Sequence, residues 1–283
     1  MKISVILPCL NEEETVGACV GTALSAIGKV GVEGEVIVID NGSTDRSAEV
    51  ARRSGARVIQ EPRKGYGNAY LRGLGEAAGD YIVIADADGT YPLETIPLFV
   101  KPLMEGEADF VIGTRLRGKI LPGAMPLSHR YIGNPLLSWV LNLLFRAGVS
   151  DAHCGMRAFT REALAKLRLR TPGMEFASEM IIEAARKGLR IAEIPIEYRP
   201  RAGGRPKMSS FTDGWRHLRF MLLYSPTVLF LLPGAVLSAL GFGIIALLLK
   251  GPIKVGNMSL YIHPMIFVNL LVDVLYAYID PRI

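Results

Sequence analysis

Short apolar runs alternate with helical patterns over residues 1–220. Five runs have the length and β-branched content of strands, and three segments between them place apolar residues at helical spacing. The predicted strands are ISVILP, EVIVID, ARVIQE, YIVIAD and ADFVIGT, and the predicted helices are EETVGACVGTALSAI, STDRSAEVARRSG and GNAYLRGLGEAAG. Because single helices separate the strands, the connections must be crossovers. The pattern predicts an α/β domain with a mostly parallel central sheet.

The pattern changes at residues 225–249, which carry no charged side chain. This stretch exceeds the roughly 20 apolar residues that a helix needs to cross a bilayer core. A second apolar stretch begins at Met258 and contains Pro264 and Asp273. Asp273 makes this stretch a weaker candidate for a membrane span, because acidic residues are rare within such spans. We interpret the two stretches together as a C-terminal transmembrane helical hairpin over residues 225–283.

Two shorter segments combine apolar residues with tryptophan. YIGNPLLSWVLNLLF is too short to span a bilayer, and its composition suits an interfacial helix and a buried core helix equally. SFTDGWRHLRFMLLYSP mixes Arg and Trp with apolar residues just before the first span, which is typical of an interfacial helix. We therefore predict a cytosolic domain at residues 1–207, an interfacial helix at residues 208–224 and the hairpin after it.

The charges around the first span favour a cytoplasmic position for everything before it. Arg216, His217 and Arg219 precede the span, and positive charges collect on the cytoplasmic side, although Lys250 and Lys254 in the hairpin loop weaken the inference. We expect a multi-pass membrane protein whose larger domain lies on the cytoplasmic face.

Composition adds three expectations. Half of the residues are hydrophobic, mean hydropathy is +0.29 and the net charge is +5, which suits contact with anionic headgroups or phosphates. No basic run is interleaved with aromatics, so we expect no nucleic-acid partner. The N-terminus shows no secretory signal, and Cys9, Cys19 and Cys154 lack CxxC spacing, which indicates reduced thiols.

Carboxylates follow two of the predicted strands. Asp40 ends VIVID, and Asp86 and Asp88 follow YIVIA just ahead of Gly89. Residues i and i+2 of an extended chain face the same side, so Asp86 and Asp88 could hold one divalent cation, although Asp and Gly also form ordinary turns. Asp40 could accept hydrogen bonds from a base or ribose. Ligands bind beyond the carboxyl ends of strands in such sheets, where these residues lie.

The segment EPRKGYGNAYLRG surrounds glycines with Arg63, Lys64 and Arg72. Glycines allow the backbone to approach a phosphate, but a glycine-rich basic loop that opens a helix is weak support for a phosphate site by itself.

An ordered set of motifs resembles the family 2 glycosyltransferases of the GT-A fold. The motifs are LPCLNEEETV, VIDNGSTD, GYGNAYLRGL, DADGTYP, GTRLRG, DAHCGMRAF and EIPIEYRPRAGGRPKMS. The resemblance covers residues 1–224 and is strongest to polyprenyl-phosphate glycosyltransferases, including dolichol-phosphate mannose synthases. It implies a Rossmann-like GT-A domain. A C-terminal membrane hairpin also fits bacterial and archaeal relatives.

The resemblance implies a donor site. In the family, the DxD carboxylates hold Mg²⁺ or Mn²⁺ on the diphosphate of a nucleotide sugar, and Asp88 belongs to the catalytic set. The implied metal ligands are Asp86, Asp88 and Thr90, with Thr90 in a position where relatives often have Gln. The implied nucleotide-binding residues are Pro8, Asn11, Glu12, Asp40, Lys64 and Asp86. The family's usual second Asp after Asp40 is here Asn41.

The resemblance also implies an acceptor site for a membrane polyprenyl phosphate. The corresponding residues are Arg117, Arg130, Asn134 and Arg201, with Arg117 and Arg130 in the catalytic set. A lipid monophosphate is mostly dianionic at neutral pH, so it needs cations rather than a general base. Arginine binds phosphate oxygens in pairs. We expect transfer of a hexose with inversion of the anomeric centre.

Four further residues receive supporting roles. The resemblance places Asp151 near the acceptor and Arg157 in support of it, and we expect Glu175 and Glu179, one helical turn apart, to orient the arginines or to be surface acids. The spacing of DAHC does not fit a zinc site.

Several alternatives remain open at this level. The acceptor could be another lipid or a glycan, and the donor could be GDP-mannose or UDP-glucose. A nucleotidyltransferase would normally carry a basic, glycine-rich loop after the first strand, where this chain has the acidic PCLNEEE. A membrane transport or scaffold protein is suggested by FVNLLVDVLYAYIDPRI, which resembles the end of peptide-transporter permeases. The membrane segments could also join copies of the chain into a homo-oligomer.

Overall fold

The computed structural model describes residues 1–202, 210–225, 227–249, 253–255 and 258–260. The chain forms two compact units, Met1–Tyr224 and Ser225–Ile283. Their boundary coincides with the residue at which the first membrane span is predicted to begin. The further boundary predicted between residues 207 and 208 lies outside the described residues and stays a prediction.

Seven strands form one sheet in the first unit, in the order β3-β2-β1-β4-β6-β5-β7. The strands are β1 Lys2–Cys9, β2 Glu33–Asp40, β3 Arg57–Gln60, β4 Tyr81–Ile84, β5 Phe110–Ile120, β6 Arg157–Thr160 and β7 Ile191–Tyr198. All neighbours are parallel except β6, which is antiparallel to β4 and β5. The predicted mostly parallel sheet is therefore confirmed, and the five predicted strands are β1–β5.

The sequence pattern misses β6 and β7, for two physical reasons. Strand β6 is only four residues long and has a polar residue at each end. Strand β7 contains Pro195, which cannot donate a hydrogen bond to a sheet. The proline is tolerated because β7 is an edge strand that pairs only with β5.

Eight helices belong to the described part of this unit. They are α1 Val16–Val30, α2 Ser47–Arg53, α3 Tyr66–Glu76, α4 Ile96–Met104, α5 Asn134–Phe145, α6 Arg161–Lys166, α7 Phe176–Arg186 and α8 Ser210–Tyr224. The three predicted helices are α1, α2 and α3. Helix α1 contacts α2 and α4, whereas α3 and α5 contact α7, and α5 also contacts α8. The sheet is thus covered by two groups of helices, as in doubly wound folds.

The central strands are buried on both faces, which explains their nearly continuous apolar sequences. Every residue from Ile3 to Leu7 in β1 and from Val36 to Asp40 in β2 is buried. In a sheet covered by helices on both sides, both alternating sets of side chains face a helical layer. One polar exception, Ser4, is satisfied because its hydroxyl donates to Glu35 and accepts from the Gly79 N–H.

Helix α5 is not a buried core helix. Only Ser138 and Leu141 of α5 are buried, and large apolar side chains of the helix and the preceding π-helical turn His129–Gly133 are exposed. These exposed residues are Tyr131, Ile132, Leu136, Trp139 and Leu143. The structure therefore favours the interfacial alternative for this segment. Helix α8 similarly exposes Trp215 and Leu223.

The second unit begins with a helix over Thr227–Leu248, whose last part is α9, Leu232–Leu248. This helix has 22 residues and a mean hydropathy of 2.3, and its most apolar part has no residue buried within the structure. By length and composition it could cross a membrane. Two short strands follow, β8 Ile253–Val255 and β9 Met258–Leu260, and they pair antiparallel.

The second predicted span begins at Met258, whose first three residues form β9. The rest of that span, residues 261–283, lies outside the described residues. The structure therefore supports one apolar helix, and the hairpin, the multi-pass topology and association through membrane segments stay predictions.

Candidate active site

The candidate site lies at the carboxyl edge of β1, β2 and β4. In the parallel pairings, Cys9 of β1 lies opposite Asp40 of β2, and Ile6 of β1 lies opposite Ile84 of β4. The loops that follow these three strands therefore leave the sheet at the same edge. Thr15 joins two of these loops because its hydroxyl donates a hydrogen bond of 2.8 Å to the Ala87 carbonyl.

Asp86 is anchored by two tyrosines of α3. The hydroxyl groups of Tyr66 and Tyr70 donate hydrogen bonds of 3.0 and 3.3 Å to Asp86 Oδ1. Burial and repulsion from Asp88 raise the pKa of Asp86 to about 7, although both tyrosine hydrogen bonds act in the opposite direction. A Cβ on Gly155 would lie 3.1 Å from Asp86 Oδ2, so a side chain at residue 155 would crowd the carboxylate.

Asp88 is connected to both Thr90 and Arg201. The backbone N–H and the hydroxyl of Thr90 donate to Asp88 Oδ1 at 3.1 and 2.6 Å. Arg201 Nη1 lies 3.5 Å from Asp88 Oδ2, and the same guanidinium forms an ion pair with Glu12. Arg201, predicted to bind the acceptor phosphate, therefore lies between two residues predicted to bind the donor.

The two DxD carboxylates suit a divalent cation that takes its other ligands from a bound molecule. The described residues contain no group of three or more His, Cys, Asp or Glu side chains that could hold a metal by themselves. Mg²⁺ is commonly bound by one or two carboxylates together with substrate phosphate oxygens. No hydrogen bond from a described residue reaches Asp86 Oδ2. Asp86 Oδ2 is therefore available as a metal ligand. A cation between Asp86 and Asp88 would also relieve the repulsion between the two carboxylates.

The residues predicted to bind the nucleotide form one connected loop structure. Asn11 has a positive φ of 54°, and its Oδ1 accepts a hydrogen bond of 2.7 Å from the Thr44 N–H. Its own N–H donates to Ser43 Oγ, and the Ser43 N–H donates to Asp40 Oδ1. Asp40 is buried, while Pro8 precedes Cys9 on β1. The loops after β1 and β2 thus fix one another.

Asn41 organises the loop that carries Lys64. Its side-chain amide donates hydrogen bonds of 3.0 and 2.8 Å to the carbonyls of Glu61 and Arg63. Its Oδ1 accepts one of 2.8 Å from the Gly65 N–H. An amide can donate twice and accept once, which an aspartate could not do with these partners. Asn41 therefore has a structural role that an aspartate could not fill.

Arg117 lies on β5 and is held by Glu193 of β7. Arg117 Nη1 and Glu193 Oε2 are 3.0 Å apart, and 65% of the Arg117 side chain is exposed. The backbone N–H and the hydroxyl of Ser150 donate to the other oxygen of Glu193 at 2.6 and 2.8 Å. The Ser150 hydroxyl also contacts the Thr114 hydroxyl. Glu193 is therefore a fixed anchor for an otherwise exposed arginine.

Arg130 and Asn134 lie beside the exposed apolar surface of α5. The guanidinium carbon of Arg130 is 5.2 Å from the centre of the Tyr131 ring. Asn134 Nδ2 lies 3.4 Å from Met125 Sδ. Within the described residues, Arg130 forms no ion pair with a carboxylate, and neither Arg117 nor Arg130 donates a hydrogen bond to Asp86 or Asp88.

Asp151 and Arg157 have structural contacts. The guanidinium of Arg115 donates two hydrogen bonds to Asp151, of 2.7 and 2.8 Å, and the Arg115 backbone N–H donates a third. Both side chains are buried. Arg157 donates to the carbonyls of Ala152, Cys154 and Ala177. Asp151 therefore serves a buried ion pair, and Arg157 supports the loop beside the DxD residues.

In the described part of the chain, Glu175 and Glu179 do not orient the predicted phosphate-binding arginines. Their contacts are with other groups. Glu175 accepts a hydrogen bond of 2.8 Å from Arg216 of α8. Glu179 is fully buried and accepts from the backbone N–H groups of Arg170 and Thr171. Arg117 is instead held by Glu193, to which the sequence motifs assign no role, and Arg201 is held by Glu12 and Asp88.

Tyr66 and Tyr70 are site residues to which the sequence motifs assign no role. Their spacing of four residues at the start of a helix puts both hydroxyls on one side, and this spacing directly after the glycine-rich loop is the signal that could have identified them. These features define the class of the protein: an α/β domain with paired carboxylates at the carboxyl edge of a mostly parallel sheet.

Known proteins match this description. A family model described as Glycosyl transferase family 2 matches residues 4–168. The low-salt glycan biosynthesis hexosyltransferase Agl6 of Haloferax volcanii is 47% identical over 261 residues, which are 92% of this chain and 62% of Agl6. A dolichyl-phosphate hexose transferase of the same organism is 36% identical over 216 residues, which are 75% of this chain and 89% of that protein. The chain thus spans less than two thirds of the length of Agl6.

Solved structures show the same fold. A crystal structure of glucosyl-3-phosphoglycerate synthase from Mycobacterium tuberculosis, in complex with Mn²⁺, UDP and glucosyl-3-phosphoglycerate, has a TM-score of 0.63 and 28% identity, and the match covers 80% of each chain. A second structure of that enzyme, with Mg²⁺ and UDP, has a TM-score of 0.64 and 26% identity over 80% of this chain and 79% of the other.

The chain belongs to glycosyl transferase family 2. The predicted family, its α/β GT-A-like sheet and the enzyme class of glycosyltransferases are confirmed.

Proposed function

We propose that the protein transfers a hexose from a nucleotide sugar to the phosphate of a membrane polyprenyl lipid, with inversion of the anomeric centre. The observation that carries this proposal is the combination of a DxD pair at the sheet edge with arginines beside an exposed apolar helix. The dolichyl-phosphate hexose transferase of Haloferax volcanii supports a lipid phosphate as the acceptor. Agl6 supports a hexose as the transferred group.

The donor would bind at the carboxyl edge of β1, β2 and β4. Asp40 would accept hydrogen bonds from the base or ribose, and Pro8, Asn11 and Glu12 would line the same loops. Lys64 would face the diphosphate from the loop that Asn41 holds. The complexes of glucosyl-3-phosphoglycerate synthase with UDP support a nucleotide diphosphate in this fold.

Asp86 and Asp88 would hold Mg²⁺ or Mn²⁺ on the donor diphosphate, with Thr90 adjacent to Asp88. The cation, when bound, supplies charge neutralisation for the departing nucleoside diphosphate. Tyr66 and Tyr70 both donate to Asp86 Oδ1 and so hold this carboxylate in one orientation. Its other oxygen, Oδ2, would remain directed at the cation. Arg201 bridges Glu12 and Asp88 and could also approach a phosphate on either substrate.

Arg117 and Arg130 would hold the lipid phosphate, with Asn134 as a further donor. A dianionic phosphate is already a nucleophile, so these residues need to position it against repulsion from the donor diphosphate. The exposed apolar surface of α5 would rest at the membrane surface and bring Arg130 to the acceptor headgroup. The helix Thr227–Leu248 would anchor the chain with its larger unit on the cytoplasmic face.

A panel of donors tests the proposal. The purified protein is incubated with GDP-mannose, UDP-glucose and related nucleotide sugars, together with one short-chain polyprenyl phosphate. We expect one lipid-linked hexose, with a β-linkage when the donor is α-linked, identified by mass spectrometry and NMR. Transfer to a soluble phosphorylated acceptor without any transfer to polyprenyl phosphate would show that the acceptor is assigned incorrectly. An α-linked product would contradict inversion.

A further inference from the structure

An open groove lies between α8 and the loops that precede α3 and α7. Its volume is about 530 Å³. Helix α8 forms one wall, and backbone of the Thr171–Gly173 loop together with the Lys64 loop forms the other. Its charged and large apolar lining side chains are Lys64, Glu175, Arg216, Arg219, Phe220 and Leu223. Among the described residues, those that contact Asp86 and Asp88 do not line this groove. The described parts of the groove and of the candidate active site share only the loop that carries Lys64.

The groove carries an excess of positive charge. Arg216 is matched by Glu175, at 2.8 Å. Arg219 and Lys64 form no ion pair with any described residue. Because Arg219 has no described carboxylate partner, the groove keeps a positive charge even when Lys64 is engaged by the donor diphosphate, and this charge favours an anion.

The same groove has an apolar wall. Phe220 and Leu223 lie on α8 beside the cations, and Leu223 is exposed over 58% of its surface. Trp215, one helical turn before Arg219, is exposed over 57%. The base of a nucleotide could stack on Phe220 alone, whereas a lipid has both a phosphate and a flexible acyl chain that can cover Phe220 and Leu223 together. The combination of cations and apolar surface therefore favours an amphiphilic anion.

The position of α8 in the chain matches such a ligand. Only residues 225 and 226 separate the end of α8 from the apolar helix Thr227–Leu248. An extended chain covers at most about 3.6 Å per residue, so two residues keep the end of α8 close to the start of that helix. Arg219, five residues before the end of α8, is therefore near in the chain to a segment that could cross a membrane.

We propose that this groove binds the headgroup of an anionic glycerophospholipid of the membrane, at a site separate from the acceptor clamp of Arg117 and Arg130. Arg219 contacts the phosphate, and Phe220 and Leu223 contact the start of an acyl chain. Lys64 lines the same groove but is assigned to the donor diphosphate. The proposal rests on the membrane location given under Proposed function, but not on the identity of the sugar or of the acceptor. A bound lipid here would fix α8 relative to the loop that carries Lys64.

The chain provides its own probe of this site. Its two tryptophans are Trp139 and Trp215. In full-length protein carrying Trp139→Phe, reconstituted in nanodiscs, the remaining emission comes from Trp215. We compare quenching by brominated phosphatidylglycerol with quenching by brominated phosphatidylcholine, each titrated into an otherwise unlabelled bilayer. The site predicts that half-maximal quenching by phosphatidylglycerol requires a smaller mole fraction.

Arg219→Ser should weaken this preference about fivefold, the effect expected of one cation near a membrane surface. Arg219→Lys should retain most of it. Arg52→Ser, on α2, removes the same charge elsewhere and should leave it unchanged. Equal quenching by the two lipids in the wild type, or an equal loss of preference in Arg219→Ser and Arg52→Ser, would overturn the proposal. The first outcome would show that no anionic lipid is preferred near Trp215, and the second would mean that the preference reflects only the overall charge of the protein.

A second measurement separates a lipid from the donor nucleotide. Transfer to a soluble short-chain acceptor in detergent should have the same KM for nucleotide sugar in Arg219→Ser as in the wild type. A raised KM with unchanged lipid preference would assign the groove to the donor and overturn the proposal. Lipid preference in a protein without hexosyl transfer would instead contradict the proposed function and leave this site standing.

Discussion

Tyr66 donates a hydrogen bond of 3.0 Å to Asp86 Oδ1, across the space between the start of α3 and the loop after β4. The bond stabilises the charged form of a carboxylate that burial and Asp88 otherwise push toward protonation. It therefore connects the glycine-rich loop, which precedes Tyr66, to the proposed cation site at Asp86 and Asp88.

Loss of this bond should shift the acidic limit of activity. Tyr66→Phe removes a hydrogen bond that lowers the Asp86 pKa, so that pKa should rise above about 7 in the metal-free protein. More divalent cation is then needed to displace the proton, and we expect a 10- to 100-fold loss in apparent metal affinity, typical of groups that orient metal ligands. The apparent affinity for Mn²⁺ is measured by titrating activity with Mn²⁺ at pH 6.5 and at pH 8.

The loss should be larger at pH 6.5 than at pH 8, since the proton competes with the cation only in the protonated population. Tyr81→Phe, on β4, is the control because its hydroxyl contacts only Met1 among the described residues. Equal metal titrations of Tyr66→Phe and wild type at both pH values would contradict the role given to Tyr66.

Activity should require a divalent cation and both DxD carboxylates. Asp88→Asn should leave the fold intact and lower turnover roughly a hundredfold or more, as expected for loss of a preorganised electrostatic contact. Turnover is measured by release of nucleoside diphosphate, with circular dichroism as the control for folding. Full activity in EDTA would remove the metal from the proposal.

Arg130 should affect the acceptor and not the donor. Arg130→Ala should raise the KM for the lipid phosphate or lower turnover, while nucleotide affinity stays within about twofold of the wild type, because that arginine contacts no described donor residue. Arg130→Lys should recover only part of the loss, since a point charge cannot reproduce paired contacts with phosphate oxygens. Initial rates against both substrates distinguish the two effects.

Glu193→Gln provides the matching test of Arg117. It removes the charge that holds the Arg117 guanidinium but leaves the arginine in place. We expect an increased KM for lipid phosphate from a less ordered arginine. If the KM for nucleotide sugar changes as much as the KM for lipid phosphate in Arg130→Ala or Glu193→Gln, Arg117 and Arg130 do not hold the acceptor phosphate.

Asn41→Asp should loosen the loop that carries Lys64. A carboxylate cannot donate to the Glu61 and Arg63 carbonyls and would repel both, while it could still accept from Gly65. We expect a raised KM for nucleotide sugar with an unchanged KM for lipid phosphate. Asn68→Asp, which removes a partly exposed amide hydrogen bond to the Lys64 carbonyl, is the milder comparison. An Asn41→Asp variant with wild-type nucleotide KM would refute the positioning role.

The Arg115–Asp151 pair should contribute to stability at neutral pH. Burial raises the pKa of Asp151, but the charge and hydrogen bonds of Arg115 outweigh burial, so the pKa is lowered in the folded state. Its stabilisation is therefore present above the unfolded pKa and is lost as pH falls through the folded value. Asp151→Asn leaves Arg115 buried and unpaired and should cost about 3–5 kcal/mol. Thermal unfolding at pH 7 measures this loss of stability, with Glu49→Gln, which removes an exposed ion pair with Arg53, as the surface comparison.

A destabilisation of less than about 1 kcal/mol in Asp151→Asn would contradict the structural role of the pair, because that is the range of exposed ion pairs.

Much of the larger unit was predictable because its signals are local. The apolar runs of β1, β2 and β4 are continuous since helices cover both faces of the sheet, and a parallel sheet places Asp40 and the DxD residues at one edge. Strand β7 could not be predicted in this way, because Pro195 is acceptable only at an edge, and edge position is a property of the whole sheet.

The chain's order of residues is enough to determine the family, the DxD motif and the length of the apolar C-terminal helix, since each depends on neighbours within a few residues. Only the tertiary structure decides which side chains meet. Glu193 meets Arg117 because β7 pairs with β5, Arg201 reaches both Glu12 and Asp88 across the site, and α5 exposes its apolar residues instead of burying them. These contacts join residues far apart in the chain, and their energies depend on burial and distance that no local pattern records.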